Sequence, residues 1–374
     1  MENKVLKPKI RFKGFADTWE QRKLKDESEY IIAGGDIDKN KIDENGKYPV
    51  IANALTNDGI VGYYKEEYRI KAPAVTVTGR GDVGHAKARN VDFTPVVRLL
   101  SIKSKHYNHF LENAINNLNV VVESTGVPQL TVPQLENYEL KFPNNLAEEL
   151  KIGEFFNKLD NLITLHQSKY DKLVNVKKAL LEKMFPKDGK NVPEIRFKGF
   201  TDTWEQRKLD DIVDFYRGRG LSWNDITDDG KNECVLYGNL YTDYGMVISK
   251  IKYKTNVNKD SMVLSKFGDV LIPSSDTTPT GLARATSIDK SDVILGGDIN
   301  VLRPKKDNGD FISYSINVKR TELIKRIKGT TVRHLNNSDI EDLEIRIAPN
   351  IDEQIKISKI LTKIDNLITL HQHK

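Results

Sequence analysis

Apolar residues recur at the three- and four-residue spacing of an α-helix over one long stretch, residues 145–185. Pro143 precedes this stretch and Pro186 follows it, as expected at the two ends of a helix. About forty residues at ~1.5 Å each predict a helix on the order of 60 Å long, so its apolar seam needs a second helix. The seam consists of Leu146, Leu150, Phe155 or Phe156, Leu159, Leu162 or Ile163, His166, Tyr170, Leu173, Val176, Leu180 and Met184.

The same spacing returns in residues 350–374, which supply a natural partner helix. His166 and His371 occupy equivalent seam positions, where a register-setting or interface role is favoured over metal binding. The second helix lacks a counterpart of residues 170–185, so part of the first seam is expected to be available to another subunit or frayed. The residues predicted to pair the helices or contact another subunit are Leu159, Ile163, His166, Tyr170, Leu173, Ile364, Leu367, Ile368 and His371.

Outside these helices the pattern is that of short strands separated by turn residues. Alternating and β-branched segments begin at Tyr48, Ile60, Ala72 and Thr94, and a shorter helical segment begins at His109. The glycines at 79, 81 and 84 spell GxGxxG, but the residues that follow read as strand and turn, which argues against a phosphate cradle. These segments predict a mixed domain dominated by strands.

The chain is an internal tandem repeat. PKIRFKGFADTWEQRKLKD from Pro8 returns 185 residues later as PEIRFKGFTDTWEQRKLDD from Pro193, with 16 of 19 positions identical. KLDNLITLHQSK from Lys158 matches KIDNLITLHQHK from Lys363 at 10 of 12 positions with an offset of 205. The residues between these near-identical ends differ greatly. Two homologous halves are therefore predicted, built as one scaffold that presents two different readers.

Composition narrows the possible functions. A chain of 374 residues with 30% charged and 38% hydrophobic residues suits two ordinary globular domains. No apolar run is long enough to span a membrane, and the N-terminus lacks signal-peptide features, so the cytoplasm is the expected compartment. The net charge of +5 favours polyanion partners only weakly. The single cysteine, Cys234, reads as a small core residue. Metal-ligand and catalytic motifs such as HExxH, GxxxxGK[ST] and GxSxG do not occur, so catalysis is expected to reside in another chain.

Several of these motifs together resemble one family, the specificity subunit of type I restriction-modification systems. The resemblance covers essentially the whole chain and rests on three duplicated features. They are W-x-x-x-x-L at Trp19–Leu24 and Trp204–Leu209, T-x-V-x-x-L at residues 125–130 and 330–335, and the helices that continue through DNLITLHQ. The resemblance implies an α+β fold in which two homologous, mostly β target-recognition domains are separated by two long antiparallel coiled-coil-like helices. The expected boundaries are 1–143 and 187–349 for the domains and 144–186 and 350–374 for the helices.

The same resemblance implies a non-catalytic role in defence against foreign DNA. Each domain would read one half of a split, asymmetric sequence in double-stranded DNA. The helices would dock two methyltransferase subunits, and restriction or translocase subunits would join that core. No metal or cofactor is expected in this chain, with S-adenosylmethionine expected in the methyltransferase and ATP and magnesium in the restriction subunit. The second helix is shorter than is usual in the family. A stand-alone DNA-binding regulator and, less favoured, a self-contained DNA-modifying enzyme are the alternatives.

Two polar loops fall into register when GHAKAR (residues 84–89) is aligned with GLARAT (residues 281–286). Variable loops on a rigid scaffold are the usual place for base contacts, for which Arg, Asn, Ser and Thr are suited, while Lys and Arg suit phosphates. The competing interpretations are solvated surface for the cations, a turn or cap role for Asn53 and Asn239, and half-buried strand positions for Tyr63 and Tyr241. The candidates for DNA contact are Asn53, Tyr63, Thr78, Arg80, His85, Lys87 and Arg89 in the first half and Arg217, Arg219, Asn239, Tyr241, Ser275, Thr277, Thr278 and Arg284 in the second.

Overall fold

The computed structural model describes residues 7–120, 126–187 and 189–372. The chain divides into two units, residues 1–165 and 166–374. Each unit mixes short strands with helices, which is the α+β class that the sequence predicts. Thr125 of the first T-x-V-x-x-L segment and Lys374 at the predicted end of the second helix lie outside the described residues.

The elements that begin in the first unit are β1 (Glu20–Lys23), β2 (Ser28–Ala33), β3 (Tyr48–Ile51), β4 (Ile60–Tyr64), β5 (Ala74–Val77), β6 (Ala86–Arg89), β7 (Thr94–Pro95), β8 (Leu100–Ser104), α1 (Asn108–Asn116), α2 (Val132–Glu136), β9 (Glu139–Phe142) and α3 (Leu146–Met184). Among the described residues these strands pair into three small sheets. One has the order β2-β8-β5-β6 and is antiparallel throughout, and a second has the order β4-β3-β7. β1 pairs with β9, so the duplicated start motif is joined to the strand that leads into the long helix.

The elements of the second unit are β10 (Glu205–Lys208), α4 (Leu209–Ile212), β11 (Val213–Arg217), β12 (Asn232–Val235), α5 (Asn239–Thr242), β13 (Val247–Ile248), β14 (Tyr253–Thr255), β15 (Val263–Leu264), β16 (Asp269–Pro273), β17 (Ser275–Asp276), α6 (Pro279–Leu282), β18 (Thr286–Ile288), β19 (Ile294–Leu295), β20 (Ile299–Pro304), α7 (Gly309–Val318), α8 (Arg320–Lys325), β21 (Arg333–His334), α9 (Asn337–Ile340), β22 (Glu344–Ile347) and α10 (Ile351–Gln372). The start-motif pairing is repeated, as β10 with β22, and two larger sheets have the orders β11-β20-β16-β18-β13 and β14-β12-β19-β15. β17 and β21 form a further short pair.

In both units a central strand lies against a helix that covers the sheet. In the first unit Val75 and Val77 of β5 share a buried cluster with Phe110 of α1. In the second unit Val270 of β16 shares a buried cluster with Phe311 of α7. Such strands are apolar on consecutive positions because both faces are covered. Cys234 is fully buried in β12, and burial raises the pKa of its thiol to about 11.

Matching residues fix the start of each long helix. The Asn145 side chain accepts a hydrogen bond from the Ala147 N–H at 2.8 Å, and Asn350 does the same for Asp352 at 2.8 Å. Asparagine is favoured there because its side chain replaces the missing helical acceptor for an early N–H group. Helix α3 spans 39 residues and α10 spans 22. The observed helices therefore begin within two residues of the positions predicted from the spacing of apolar residues.

Within the second unit, α10 and the last part of α3 run antiparallel. His166 faces His371 with their Nδ1 atoms 2.9 Å apart, and further along α3 Lys177 forms an ion pair with Asp365. Leu180 and Met184 then share a buried cluster with Leu361. Residue numbers rise along one helix as they fall along the other, and the two histidines at equivalent seam positions are in contact.

Candidate nucleic-acid interface

Two of the predicted residues, Asn53 and Thr78, hold the loop between β5 and β6 of the first repeat through hydrogen bonds to its backbone. Asn53 accepts a hydrogen bond from the Gly79 N–H at 2.8 Å and donates one to the Val97 carbonyl at 3.1 Å. The Thr78 hydroxyl donates to the Asp82 carbonyl and accepts from the His85 N–H at 3.0 Å. Both side chains therefore shape the loop.

Gly79 is required at this position because any side chain would meet the Arg98 carbonyl oxygen, only 2.2 Å from an added Cβ. Strand β6 follows the loop, so a helix does not open after the glycines and the GxGxxG spelling has no phosphate-cradle geometry. The fixed backbone presents Arg80 and His85 to solvent at the loop surface, with Lys87 exposed on β6.

Arg89 lies at the wall of a cleft of about 320 Å³ beside this loop. Its Nε donates to the Thr76 hydroxyl at 3.0 Å and one terminal nitrogen donates to the Asp58 carbonyl at 2.9 Å. Burial lowers the pKa of the Arg89 guanidinium. Arg89 thus braces two segments, while Lys87 at the same cleft lies 3.8 Å from the Asp58 carboxylate and remains half exposed.

The corresponding loop of the second repeat is organised by an acidic residue that the sequence analysis did not select. Asp276 accepts from the Thr277 N–H at 2.6 Å and from the Thr278 hydroxyl at 3.0 Å. Thr278 in turn caps α6 by accepting from the Gly281 N–H at 3.3 Å. Ser275 is half-buried in β17, whereas Thr277 and Thr278 are exposed. A fixed, polar loop surface results.

A cavity of about 900 Å³ lies within the second unit beside this loop. Arg284 lines it, donates to the Tyr244 carbonyl at 2.7 Å, and keeps a buried Nε without a partner among the described residues. Burial lowers the pKa of Arg284. Lys177 and Arg320 also line the cavity. Three cationic side chains therefore line the cavity.

Three acidic residues, Asp243, Asp276 and Asp365, line the same cavity, so its cationic and acidic side chains are equal in number. Among its lining residues, sequence reasoning selected Tyr241, Thr278 and Arg284 for DNA contact and Ile368 for helix pairing. Lys177 belongs to the long helix and Arg320 begins α8. No local motif joins residues so far apart, and only the fold brings them together.

The remaining candidates divide between buried and exposed positions. Asn239 is fully buried, accepts from the Leu236 N–H at 3.0 Å and donates to Asp243 at 2.9 Å, which is the turn role considered from the sequence. Tyr63 and Tyr241 are half-buried, and burial raises the pKa of Tyr241. Arg217 is exposed at the end of β11, where it donates to Asn336, Ser274 and Asp298 at 3.0–3.1 Å. Arg219 is exposed two residues later.

The predicted helix-pairing residues also differ in how far they are exposed to solvent. Ile364 is buried, and His166, Tyr170, Leu173, Ile368 and His371 are half-buried. Leu159, Ile163 and Leu367 are exposed.

In the part of the chain that the structure describes, no cluster of three or more His, Cys, Asp or Glu residues is placed to hold a metal ion. Among those same residues, no helix combines the length and apolarity needed to cross a bilayer.

Comparison with known proteins gives a consistent result for this architecture. The family model of the type I restriction modification DNA specificity domain matches twice, at residues 16–175 and 201–374. The crystal structure of a type I restriction-modification S subunit from M. genitalium superposes with a TM-score of 0.67 at 14% identity, covering 98% of this chain and 94% of that one. At that identity the superposition shows a shared fold.

Curated relatives point to the same family. A putative type I specificity subunit of Mycoplasma pneumoniae is 33% identical over 128 residues, covering 33% of this chain and 35% of that protein. The MjaVIII specificity subunit of Methanocaldococcus jannaschii is 22% identical over 261 residues, covering 66% of this chain and 60% of the relative. This chain thus spans 35% and 60% of the lengths of these relatives.

Two copies of one α+β domain, each with polar loops on a shared frame, define a tandem-repeat protein. The chain belongs to the type I restriction modification DNA specificity family. The family resemblance and the internal repeat predicted from the sequence are confirmed. The two matches place one copy of the DNA specificity domain in each repeat.

Proposed function

We propose that this chain reads double-stranded DNA for a type I restriction-modification complex, with each repeat contacting one part of a split, asymmetric target. The observation that carries the proposal is the contrast between frame and loops. The start motif and the helix starts use the same residue pairs in both repeats, whereas the loops after β5 and β16 differ in sequence and chemistry. Such a design keeps the docking geometry constant while the contacts to bases vary.

The proposed readers are the exposed side chains on the fixed loops. Arg80 and His85 in the first repeat and Thr277 and Arg219 in the second are exposed. Arginine suits guanine edges and threonine suits either base edges or phosphates. Buried residues such as Asn239 would act indirectly by shaping the surface that meets the groove.

The partners in this proposal carry the chemistry. Two methyltransferase subunits with S-adenosylmethionine would dock on the long helices, and restriction subunits with ATP and magnesium would join them. Support for this assembly comes from the family membership and from the apolar residues exposed along the first part of α3, such as Leu162 and Ile163. Exposed apolar patches commonly mark protein interfaces.

Methylome sequencing after co-expression with a cognate methyltransferase subunit tests the proposal. The expected result is adenine methylation within two short specified blocks separated by unspecified bases. A continuous motif, or no methylation although the two proteins copurify, would contradict it. Sequence-specific binding by the chain without any methyltransferase association would instead indicate the stand-alone regulator.

The helices are proposed to set the unspecified gap between the two blocks. Half-sites read from one face of B-DNA lie about 34 Å apart, which a helical spacer of tens of ångströms can match. Inserting four residues, about 6 Å of helix, into both long helices should lengthen the gap by one or two base pairs at about 3.4 Å each. An unchanged gap in the methylated motif would refute this role.

A further inference from the structure

The chain leaves β2 in the first repeat and β11 in the second along the same path. A glycine follows each strand, and its N–H donates to a backbone carbonyl, from Gly34 to Leu99 at 2.8 Å and from Gly218 to Ile299 at 2.9 Å. A Cβ added to Gly34 or Gly218 would lie 2.2 or 2.0 Å from a carbonyl oxygen. Close backbone packing therefore fixes the exit from both strands.

Four residues after each glycine, the chain reaches the cap of a short 3₁₀ helix. In the first repeat Asp38 accepts a hydrogen bond from the Asn40 N–H at 3.0 Å. In the second repeat the Ser222 N–H donates to the Asp225 carboxylate at 2.8 Å. The two segments, which we call the exit turns, are residues 38–41 and 222–225. They match in position, so Lys39 in the first exit turn corresponds to Trp223 in the second.

Each exit turn leaves its sheet beside the polar loop that follows β5 or β16. Ala33 at the end of β2 and Val77 at the end of β5 both pair with Leu100 of β8. Arg217 at the end of β11 and Ile272 near the end of β16 likewise pair with one residue of β20. The exit turn and the polar loop therefore leave the same end of the sheet, about 10 Å apart, which is two strand spacings.

The second exit turn presents a tryptophan on a fixed backbone. Trp223 is 56% exposed, and its ring contacts Tyr253 edge to face at 5.3 Å. Before it in the chain, Leu221 is buried in an apolar cluster. After it, the Asp225 carbonyl accepts a hydrogen bond from the Thr255 hydroxyl at 2.7 Å. Because both flanks are held, the exposed indole needs little ordering when it binds a partner.

The first exit turn presents lysines at the same place. Lys41 pairs with Glu67 at 3.1 Å, and Lys39 is exposed one residue after the cap. Lysine suits a DNA phosphate, whereas an aromatic ring suits the apolar parts of bases. The backbone of the exit turn is thus shared between the repeats, while the side chain that it presents differs, as it does in the polar loops.

We propose that the exit turn is a second DNA-contacting element in each repeat, with Lys39 binding a backbone phosphate and Trp223 packing against bases of its half of the target. This inference rests on the proposed function, because it assumes that the chain reads double-stranded DNA. It adds two contact residues outside the polar loops. A separation of about 10 Å between the two elements corresponds to about three base pairs at about 3.4 Å each.

The test uses the complex of this chain with its methyltransferase and two labelled duplexes, one with the motif that the wild-type complex methylates and one without it. Fluorescence anisotropy at several salt concentrations gives the affinities. Trp223→Ala should weaken binding to the motif duplex at least tenfold and binding to the other duplex less than threefold. Its salt dependence should be that of the wild type, because an indole neutralises no phosphate. Trp223→Phe should recover part of the loss.

Lys39→Ala should behave differently in the same assay. A lost phosphate contact weakens binding to every sequence, so both duplexes should bind about two- to fivefold more weakly. The slope of log affinity against log salt concentration should become shallower by about 1, since one fewer counterion is released.

Matched controls lie at the opposite ends of the same sheets. Phe267 is 70% exposed two residues before β16, and Lys25 is exposed three residues before β2. Phe267→Ala and Lys25→Ala should each change binding to either duplex less than twofold. Circular dichroism and thermal unfolding confirm that all variants are folded.

Two results overturn the inference while the proposed function stands. The first is a Trp223→Ala complex that binds the motif duplex as tightly as the Phe267→Ala complex. The second is a Lys39→Ala complex with an unchanged salt slope. In both cases the wild-type complex still prefers its motif duplex. A wild-type complex that methylates no motif, or that does not prefer the motif duplex, would instead contradict the proposed function and this inference with it.

Discussion

The two repeats share the contacts between the start motif and the long helix, and they differ in the sheets and loops between these two elements. Arg11 binds the Glu148 carboxylate through two nitrogens at 2.6 and 2.7 Å, and Arg196 binds Glu353 the same way at 2.7 and 2.8 Å. The sheets built on these anchors differ, with four and three strands in the larger sheets of the first repeat and five and four in the second. Near-identical residues therefore serve the junction between domain and helix.

A second pair of contacts supports this conclusion. The Lys151 ammonium lies 4.9 Å from the centre of the Phe15 ring, and Lys356 lies 4.9 Å from that of Phe200. By contrast, the first turn of each long helix makes a different buried polar contact. Glu149 contacts His106 at 2.7 Å in the first repeat, and Gln354, its equivalent, contacts Asp307 at 2.8 Å in the second. The polar pair is retained although its chemistry changes, since a buried polar group needs a partner.

The largest expected difference between the repeats concerns the aromatic residues beside the duplicated tryptophans. Phe185→Ala should lower the free energy of unfolding by about 3–5 kcal/mol, because it empties a filled aromatic cluster around Trp204. Phe156→Ala should cost within about 1 kcal/mol, because Phe156 lines an open cleft beside Trp19 and is 42% exposed. Urea denaturation of the full chain, monitored by tryptophan fluorescence, measures both. Equal costs would show that the surroundings of Trp19 and Trp204 are equally filled.

The buried anchor of the second helix should be almost as sensitive. Arg196→Met leaves the Glu353 carboxylate, which is fully buried, without its bidentate partner and should destabilise the second unit by about 3 kcal/mol. Replacing both residues with methionine should recover most of the loss, as the unpaired charge is then removed. Thermal unfolding of the single and double variants makes the comparison, and a double variant no better than the single one would contradict it.

Loop substitutions should act on one half of the target at a time. Arg80→Ala removes an exposed side chain from the first loop and should weaken DNA binding by about 1–3 kcal/mol while relaxing only one block of the methylated motif. Thr277→Ala should affect only the other block, by a smaller amount. Methylation sequencing of each co-expressed variant provides the readout. Changes in both blocks from one substitution would undermine the division of labour between repeats.

A carboxylate pair in the second repeat predicts the smallest effect and a pH dependence. Burial and the nearby carboxylate of Asp310 raise the pKa of Asp289 to about 6. Because the pKa of this carboxyl group is higher in the folded state than in the unfolded state, the folded state binds the proton more tightly. Ionisation of Asp289 therefore lowers the free energy of unfolding as the pH rises from about 4 through 6.

Asp289→Asn removes that titration. Because Asp289 is half-buried and solvent screens part of its charge, the variant should gain only about 1 kcal/mol at pH 7.5 and almost nothing at about pH 3.5. Chemical denaturation at the two pH values measures the difference, with Asp292→Asn, an exposed acid nearby, as the matched control. A gain that is equal at both pH values would refute the assignment.

Periodic and repeated features of this chain were predictable, and features assembled from distant residues were not. The long helix is predicted at 144–186 and observed at Leu146–Met184, because a seam of apolar residues between prolines leaves few alternatives. Sheet order was not predictable, since short strands such as β13 and β19 carry too few residues to specify their neighbours.

The structure shows which of the selected side chains brace the two polar loops and which are exposed on them, and the sequence could not make that distinction. Thr78 and Asn53 lie where expected, but their polar atoms hold the loop. Asn239 is buried in a turn that its local sequence does not reveal. Lys177 and Arg320 were missed because a helix seam and a short surface helix give no local sign that both face one cavity. Polar residue type alone cannot separate a contact residue from a loop brace.

The most direct test of the account is the motif methylated by this chain with its methyltransferase, determined before and after exchanging the loop at residues 78–85 for that of a relative with a known target. The account predicts a bipartite motif in which the exchange rewrites one block and leaves the other block and the gap unchanged. A single uninterrupted motif, or a rewriting of both blocks, would contradict the claim that two independent readers share one frame.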